Sequence, residues 1–287
     1  MKNVLNETSF AIDATNPGHV FACCGLLECA DRIWSGTRGW FSEDHCKFIL
    51  QFPGNGEEDF SQVLFDTLKQ APISNTMTDE QVARREHLGG FSKAERKKQG
   101  TEAELKELNS LWRTVPVLIG DPLNIRIDWF LDDLAGGSTY KTWAGQQSVI
   151  DIATAMHAGF SELSKFEHTS LKPFFQVDRI PFNFDAELGR LGRDLDLGFS
   201  RDPLGMTAPI RPLVEFLAFT GLQRFRPGHG EKKNDFSYQL WSTPAGPIFA
   251  SQVVNSSITL PGTARFRFRL LYRTKYLKSF LFANQTN

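Results

Sequence analysis

The segment that follows Asn16 is apolar on nearly every side when it is arranged as a helix. It reads PGHVFACCGLLECADRIW (17–34), and a helix that is hydrophobic all round belongs in the interior of a protein. Asn16 is a favourable N-cap, and Pro17 suits the first helical turn, so the helix is predicted to begin here. The fold therefore has to enclose this helix.

Strand-like segments flank the apolar helix and a second helix further along the chain. SFAIDA and CKFILQF alternate polar and apolar residues around the first helix, while LNIRIDWFL and KPFFQVDRIPFNFD enclose SVIDIATAMHAGFSEL. Two strand–helix–strand halves predict an α+β fold with a ferredoxin-like or RNA-recognition-like sheet, which is a common platform for single-stranded nucleic acid. The 287 residues are expected to form a single domain over 1–287.

Residues 57–115 differ from their surroundings because they are charged and have helical periodicity. The segment TDEQVARREHL carries a capping residue at Thr78 and acids in its first turn, and TEAELKELNSLWRTV is a second amphipathic helix. This region is predicted to be a charged helical insertion that takes no part in the central sheet.

The distribution of charge is uneven, although the whole chain carries a formal net charge of −1. The last acidic residue is Asp235, and the residues after it include six Lys or Arg side chains. A local excess of cations favours a surface that binds a polyanion. The alternative is that these cations meet acids from other parts of the fold.

The clearest pattern in this basic end is the alternation of Arg265, Arg267 and Arg269 with Phe266 and Phe268. In a strand, alternate side chains point to opposite faces, so the phenylalanines can face the core while the guanidinium groups face a phosphate backbone. The alternative is an edge strand whose charges prevent aggregation. Three further cations extend the predicted nucleic-acid-binding surface: Arg273, Lys275 and Lys278.

A glycine-rich loop, GGSTYKTWAGQQ (136–147), lies between a predicted strand and a predicted helix, where backbone N–H groups attract anions. Lys141, Trp143, Gln146 and Gln147 would supply a cation, a stacking ring and two amides to a nucleic acid. The loop contains no GxxxxGK[ST] motif, which argues against nucleotide hydrolysis. The alternative is a structural loop in which Trp143 packs inward.

No catalytic or metal-binding motif is recognisable. HExxH, GxSxG and HxE…PCxxC patterns are missing, and the four cysteines form no CxxC pair, so no enzyme activity, cofactor or metal is expected. No secretory signal and no apolar run long enough to span a bilayer is present, and free cysteines fit a reducing cytoplasm.

Several long blocks resemble a protein family found with type I-U CRISPR–Cas loci, also called type I-G. They are TNPGHVFACCGLLECADRIW, YKTWAGQQ, PFNFDAE with DLGFSRDPLGM, RPLVEFLAFTGLQRFRP and FRLLYRTKYLKSFLFA. The resemblance covers both ends and the middle of the chain but not residues 55–115. It implies a large-subunit-like or repeat-associated RNA-binding-like (RAMP-like) subunit of a crRNA-guided DNA surveillance complex (Cascade) in antiviral defence, and it transfers no catalytic residues.

The resemblance implies crRNA, target DNA and other effector subunits as partners, including a backbone subunit, a repeat-processing subunit and the helicase-nuclease. A guide complex contacts nucleic acid through backbone and shape, so cations, rings and amides suit it better than a catalytic pair. Three alternatives stay open: a repeating crRNA-binding backbone subunit, a crRNA-processing ribonuclease and a scaffold that binds only proteins.

Overall fold

In a computed structural model, the residues that can be described form thirteen strands and eight α-helices. The structure describes residues 4–54, 60–131, 140–143, 147–161, 177–179, 181–187, 208–232, 234–272 and 278–286. The helices are α1 (Pro17–Ile33), α2 (Phe60–Gln70), α3 (Asp79–Gly89), α4 (Lys93–Gln99), α5 (Glu102–Thr114), α6 (Val149–Ser161), α7 (Pro212–Gly221) and α8 (Pro247–Val254).

The strands are short and pair antiparallel throughout the described residues. They are β1 (Val4–Ala11), β2 (Arg38–Phe41), β3 (Lys47–Gly54), β4 (Ile73–Asn75), β5 (Val117–Ile119), β6 (Ile125–Ile127), β7 (Val177–Arg179), β8 (Ala208–Ile210), β9 (Gly228–His229), β10 (Asp235–Leu240), β11 (Ala264–Tyr272), β12 (Lys278–Phe280) and β13 (Asn284–Thr286). A 3-10 turn, Trp129–Leu131, follows β6.

The strands form several small sheets, and this confirms an α+β fold. In the first sheet the order is β1-β3-β2. The predicted strand CKFILQF is β3, which pairs directly with β1, and the strand that follows α1 is β2, which was not predicted. The two strands of the second predicted half, β6 and β7, lie in different sheets: β6 pairs in the sheet β4-β5-β6, and β7 pairs with β8. The ferredoxin-like detail is therefore not confirmed: local periodicity predicts strands, but distant residues decide which strands pair.

Helix α1 begins as predicted and lies in the interior. The side chain of Asn16 accepts a hydrogen bond from the backbone N–H of Gly18 at 3.0 Å, and Pro17 occupies the first turn. Residues 17–30 of the helix are all buried. An uninterrupted apolar surface on all sides thus corresponds to a helix enclosed by the rest of the chain.

Helices α1 and α7 pack with their backbones in contact. A Cβ atom placed on Gly25 would lie 2.0 Å from the carbonyl oxygen of Leu217, and one on Gly221 would lie 2.2 Å from that of Phe21. Only hydrogen fits at both positions, so this glycine pair sets the distance between the two helices.

The described part of residues 57–115 consists of four helices and the short strand β4. Helix α2 buries Phe60, Leu64, Phe65 and Leu68 in the main core. Helices α3 and α4 are largely exposed, α5 is mostly half-buried, and Thr78 forms the capping box of α3 with Gln81. The charged surface of this region therefore lies on α3–α5, whereas α2 belongs to the core.

The C-terminal strands form a five-stranded sheet in the order β12-β11-β10-β9, with β13 also paired to β11. Its inner face carries aromatic rings that meet α1: Phe21 lies with its ring centroid 5.8 Å from that of Tyr238 and 6.3 Å from that of Phe268. The buried helix therefore covers one face of this sheet, whereas on the opposite face Arg267 and Arg269 of β11 are exposed and Ser237 and Gln239 of β10 are buried.

Candidate nucleic-acid interface

The alternation of arginine and phenylalanine forms the strand expected of it. Phe266 and Phe268 are each 2 % exposed, while Arg267 and Arg269 are exposed and Arg265 is half-buried. The two phenylalanines anchor β11 on the core, and the three arginines share the opposite face. We call this row of Arg265, Arg267 and Arg269 the arginine row.

Strand β11 lies inside its sheet, so the alternative of a charged edge strand is wrong. β10 pairs along one side of β11, and β12 and β13 pair along the other. Arginines are not needed to protect a strand whose two edges are already paired. Edge protection therefore does not explain the charge on this face.

The neighbouring strands place small polar side chains beside the arginines. Arg265 lies between Gln239 of β10 and Thr286 of β13, and Arg267 lies between Ser237 and Asn284. Because paired residues point to the same face, these hydroxyls and amides share the face of the arginine row. Asn284 is exposed and Thr286 is half-buried, so these two are accessible beside the arginines, whereas Ser237 and Gln239 are buried.

The three arginines have different surroundings. The Nε atom of Arg269 lies 2.9 Å from a carboxylate oxygen of Asp235, and the Arg269 side chain is 66 % exposed. Among the described residues, the buried Nε atom of Arg265 has no hydrogen-bond partner, and Oε1 of its neighbour Gln239 has none either. Arg267 forms no ion pair within the part of the chain that the structure describes.

An open groove runs beside this row. It has a volume of about 400 Å³, and its lining includes Arg267, Arg269, Asn284 and Thr286. Arginines two positions apart along a strand are separated by about 6.7 Å, which is close to the spacing of consecutive phosphates in a nucleic-acid backbone. The groove and the row could therefore hold an extended polyanion.

The loop residues are placed differently from the arginine row. The ring of Trp143 is 4 % exposed and packs edge-on against Trp129, Phe130 and Phe182. The prediction that Trp143 stacks on a base is thus corrected, because a ring enclosed by other rings presents no face to a ligand. The inward-packing alternative is the correct one.

Lys141 and Gln147 remain partly accessible. The Nζ atom of Lys141 lies 5.1 Å from the centroid of the Trp143 ring, and burial lowers the pKa of this ammonium group. Gln147 is half-buried. Gln146 and residues 136–139 of the same loop lie outside the described residues.

Lys278 lies on the face of the sheet opposite to the arginine row. It pairs with Tyr272, which belongs by alternation to the phenylalanine side, and its Nζ atom lies 5.6 Å from the Tyr272 ring centroid. The backbone N–H of Lys278 donates to the carbonyl of Thr142 at 2.8 Å, so the loop and the basic stretch do meet. Arg273 and Lys275 lie outside the described residues.

A buried polar cluster was missed at the sequence level. One carboxylate oxygen of Asp185 accepts from the Asn16 side chain at 2.8 Å, and the other accepts from Arg211 at 2.8 Å. Nε2 of His19 lies 3.5 Å from the same guanidinium group, and Glu215 accepts from the backbone N–H of Asp185 at 3.1 Å. The sequence predicts Asn16 only as a helix cap and places FNFD in a strand-like segment, so it gives no sign of this contact.

This cluster joins three distant segments: the start of α1, residues 183–187 and the start of α7. Asp185 is fully buried, and both of its oxygens already accept hydrogen bonds from protein donors. A carboxylate held in this way stabilises the junction between the segments. Removing one partner from such a buried ion pair typically costs about 3–5 kcal/mol.

Across the described ranges, no three His, Cys, Asp or Glu side chains lie where they could hold a metal ion. No helix in that part of the chain is both long and apolar enough to cross a membrane. Comparisons with protein-family models, with curated proteins and with solved structures give no match for this chain.

Proposed function

We propose that this protein is a non-catalytic, nucleic-acid-binding subunit of a type I-U (type I-G) CRISPR complex that is guided by crRNA. The observation that supports this proposal is the arginine row, which projects from an interior strand beside an open groove. Among the described strand residues on this face, three arginines stand against one carboxylate, that of Asp235, so the row keeps an excess of positive charge. The protein acts in the cytoplasm, where crRNA and target DNA meet.

Contacts of this kind hold a nucleic-acid backbone without reading bases. Guanidinium groups bind phosphate oxygens, and the neighbouring Asn284 and Thr286 side chains offer hydrogen bonds to sugar or phosphate groups. In a guided complex the crRNA supplies sequence specificity by base pairing, so a protein surface that recognises only charge and spacing is sufficient.

The same proposal needs a surface for other subunits, and α8 offers one. Ile248 is 73 % exposed and Phe249 is 45 % exposed, and the backbone N–H of Ile258 donates to the carbonyl of Gln252 on the same helix. Residues 236–264 contain no charged side chain. An uncharged apolar patch suits contact with protein and not with nucleic acid.

The number of copies in the complex separates two possible roles of this subunit. One copy per complex supports a large-subunit-like role, and several copies support a repeating backbone role.

The experiment replaces Arg267 and Arg269 together by Gln. Binding of the full chain to labelled single-stranded RNA, single-stranded DNA and duplex DNA is measured over a range of salt concentrations. If both arginines reach phosphates, the slope of log affinity against log salt flattens by about 1.4–1.8. The matched control replaces Lys97 and Lys98, two exposed cations of α4, by Gln. The slope of log affinity against log salt for this control is expected to stay close to that of the wild type.

Thermal unfolding checks that the arginine variant is folded. The proposal fails if the folded variant keeps the wild-type affinity and the wild-type slope. A ribonuclease role is tested on the same samples, with and without divalent metal, where the oligonucleotides and repeat RNA are expected to remain intact. Specific cleavage that is lost on substitution of His19 would contradict the non-catalytic part of the proposal.

A further inference from the structure

A second groove lies between β4 and α6 and is separate in composition from the arginine row. It has a volume of about 590 Å³. Its apolar lining includes Ile73 of β4, Val82 of α3, Trp112 of α5 and Ala155 and Ala158 of α6. We call it the β4 groove. Alanines on α6 leave space opposite the larger side chains, so the groove can accept an apolar side chain.

One wall of the groove is an edge strand. β4 stands at the end of the order β4-β5-β6, and within the described ranges it pairs only with β5. All three of its residues line the groove. An edge strand presents unpaired N–H and C=O groups, and an extended peptide can pair with them. The shape of the wall therefore favours an extended polypeptide as the occupant.

The rim of the groove carries negative charge. Asp79 and Asp151 are both exposed, and both line it. Asp151 accepts a hydrogen bond from Nε1 of Trp112 at 3.2 Å, and the guanidinium carbon of Arg85 lies 4.2 Å from the centroid of the Trp112 ring. A hydrogen bond and a cation–π contact thus hold the indole of Trp112 in place. The two carboxylates would repel phosphates and attract a Lys or Arg side chain.

We propose that the β4 groove binds an extended segment of a partner protein, which adds a strand along the edge of β4 that does not pair with β5. One apolar side chain of that segment enters the space between Trp112 and Ala158, and a neighbouring Lys or Arg reaches Asp79 or Asp151. Main-chain hydrogen bonds supply affinity, and the apolar and charged positions supply specificity. This inference does not depend on nucleic-acid binding by the arginine row.

The test selects nine-residue peptides from a random phage-displayed library on the full-length protein. We expect the selected peptides to combine apolar residues at alternate positions with Lys or Arg. Synthetic versions should bind the wild type and lose at least tenfold in affinity on the Ala158→Trp variant. The matched control is Ala83→Trp, an exposed position of α3 outside the groove, which should bind as the wild type does.

Further measurements separate this site from others. Exchange of the β4 amide hydrogens should slow when peptide is bound, and a Thr154→Lys variant should weaken binding by charge repulsion if Ala158→Trp does not fold. The double variant Asp79→Asn with Asp151→Asn should bind more weakly, with a flatter dependence on salt. The proposal is wrong if no peptide is enriched, if the enriched peptides are acidic, or if the folded groove variants bind them unchanged.

Discussion

Replacing Asp235 by Asn should strengthen nucleic-acid binding, although it removes an ion pair. Asp235 lies directly across from Arg269 in the β10–β11 pairing, and the two side chains are 2.9 Å apart. In this position the carboxylate neutralises one cation of the row and repels phosphates in the adjacent groove. The substitution keeps the size of the side chain and removes both effects.

The magnitude follows from the geometry. A carboxylate roughly 6 Å from a phosphate costs about 0.7 kcal/mol in water, which corresponds to about a threefold change in affinity. If the released Arg269 then reaches a phosphate, the slope of log affinity against log salt steepens by about 0.7 for a single strand. Stability should fall by no more than about 1 kcal/mol, because Arg269 is 66 % exposed and exposed ion pairs contribute little.

The assay is fluorescence anisotropy of a labelled single-stranded RNA between about 50 and 200 mM salt, a range in which phosphate contacts change affinity strongly. Glu107→Gln, which removes one exposed acid from α5, is the control for total charge. A folded Asp235→Asn variant that binds no more tightly than the Glu107→Gln variant would refute the argument. The slope should also stay unchanged when Asp235→Asn is added to Arg269→Gln.

Two further predictions concern stability. Gly25→Ala should lower the free energy of unfolding by about 1–3 kcal/mol in chemical denaturation, because the new methyl group meets the Leu217 backbone. In the control Gly89→Ala, the new methyl group meets nothing within 4 Å, so this change should be neutral or stabilising. Equal effects of the two variants would contradict the close helix contact. Burial lowers the pKa of His157, whose Nε2 lies 2.9 Å from the carbonyl oxygen of Leu68. The unfolded state therefore binds the proton more readily than the folded state. Stability should fall as the pH drops below about 6.5, the pKa of histidine in an unfolded chain. His157→Gln should remove this dependence, and an unchanged pH profile would show that another group causes it.

Local chemistry could be predicted from the sequence where neighbours along the chain decide it. The cap at Asn16 and the two faces of β11 are of this kind, because both depend on residues only a few positions apart. The position of β11 inside the sheet could not be predicted, since it depends on β10 and β13 arriving on either side. Trp143 could not be assigned either, because its burial depends on rings more than ten residues away.

The buried cluster shows the same limit. Asn16 and Asp185 are 169 positions apart, and Arg211 is a further 26 positions away. Each of them fits an ordinary turn or cap in its own segment, and only the fold brings them together. The β4 groove is also a product of tertiary packing, since its lining comes from β4, α3, α5 and α6.

The close contact between α1 and α7 has a consequence for synthesis on the ribosome. About 180 residues separate the end of α1 from the start of α7, which is roughly 10–40 s of translation. During that interval the apolar surface of α1, including the strip around Gly25, lacks the helix that covers it in the finished protein. A nascent chain of this design depends on slow aggregation or on a chaperone until residue 221 has left the exit tunnel, and fragments that stop before α7 should accumulate as insoluble material.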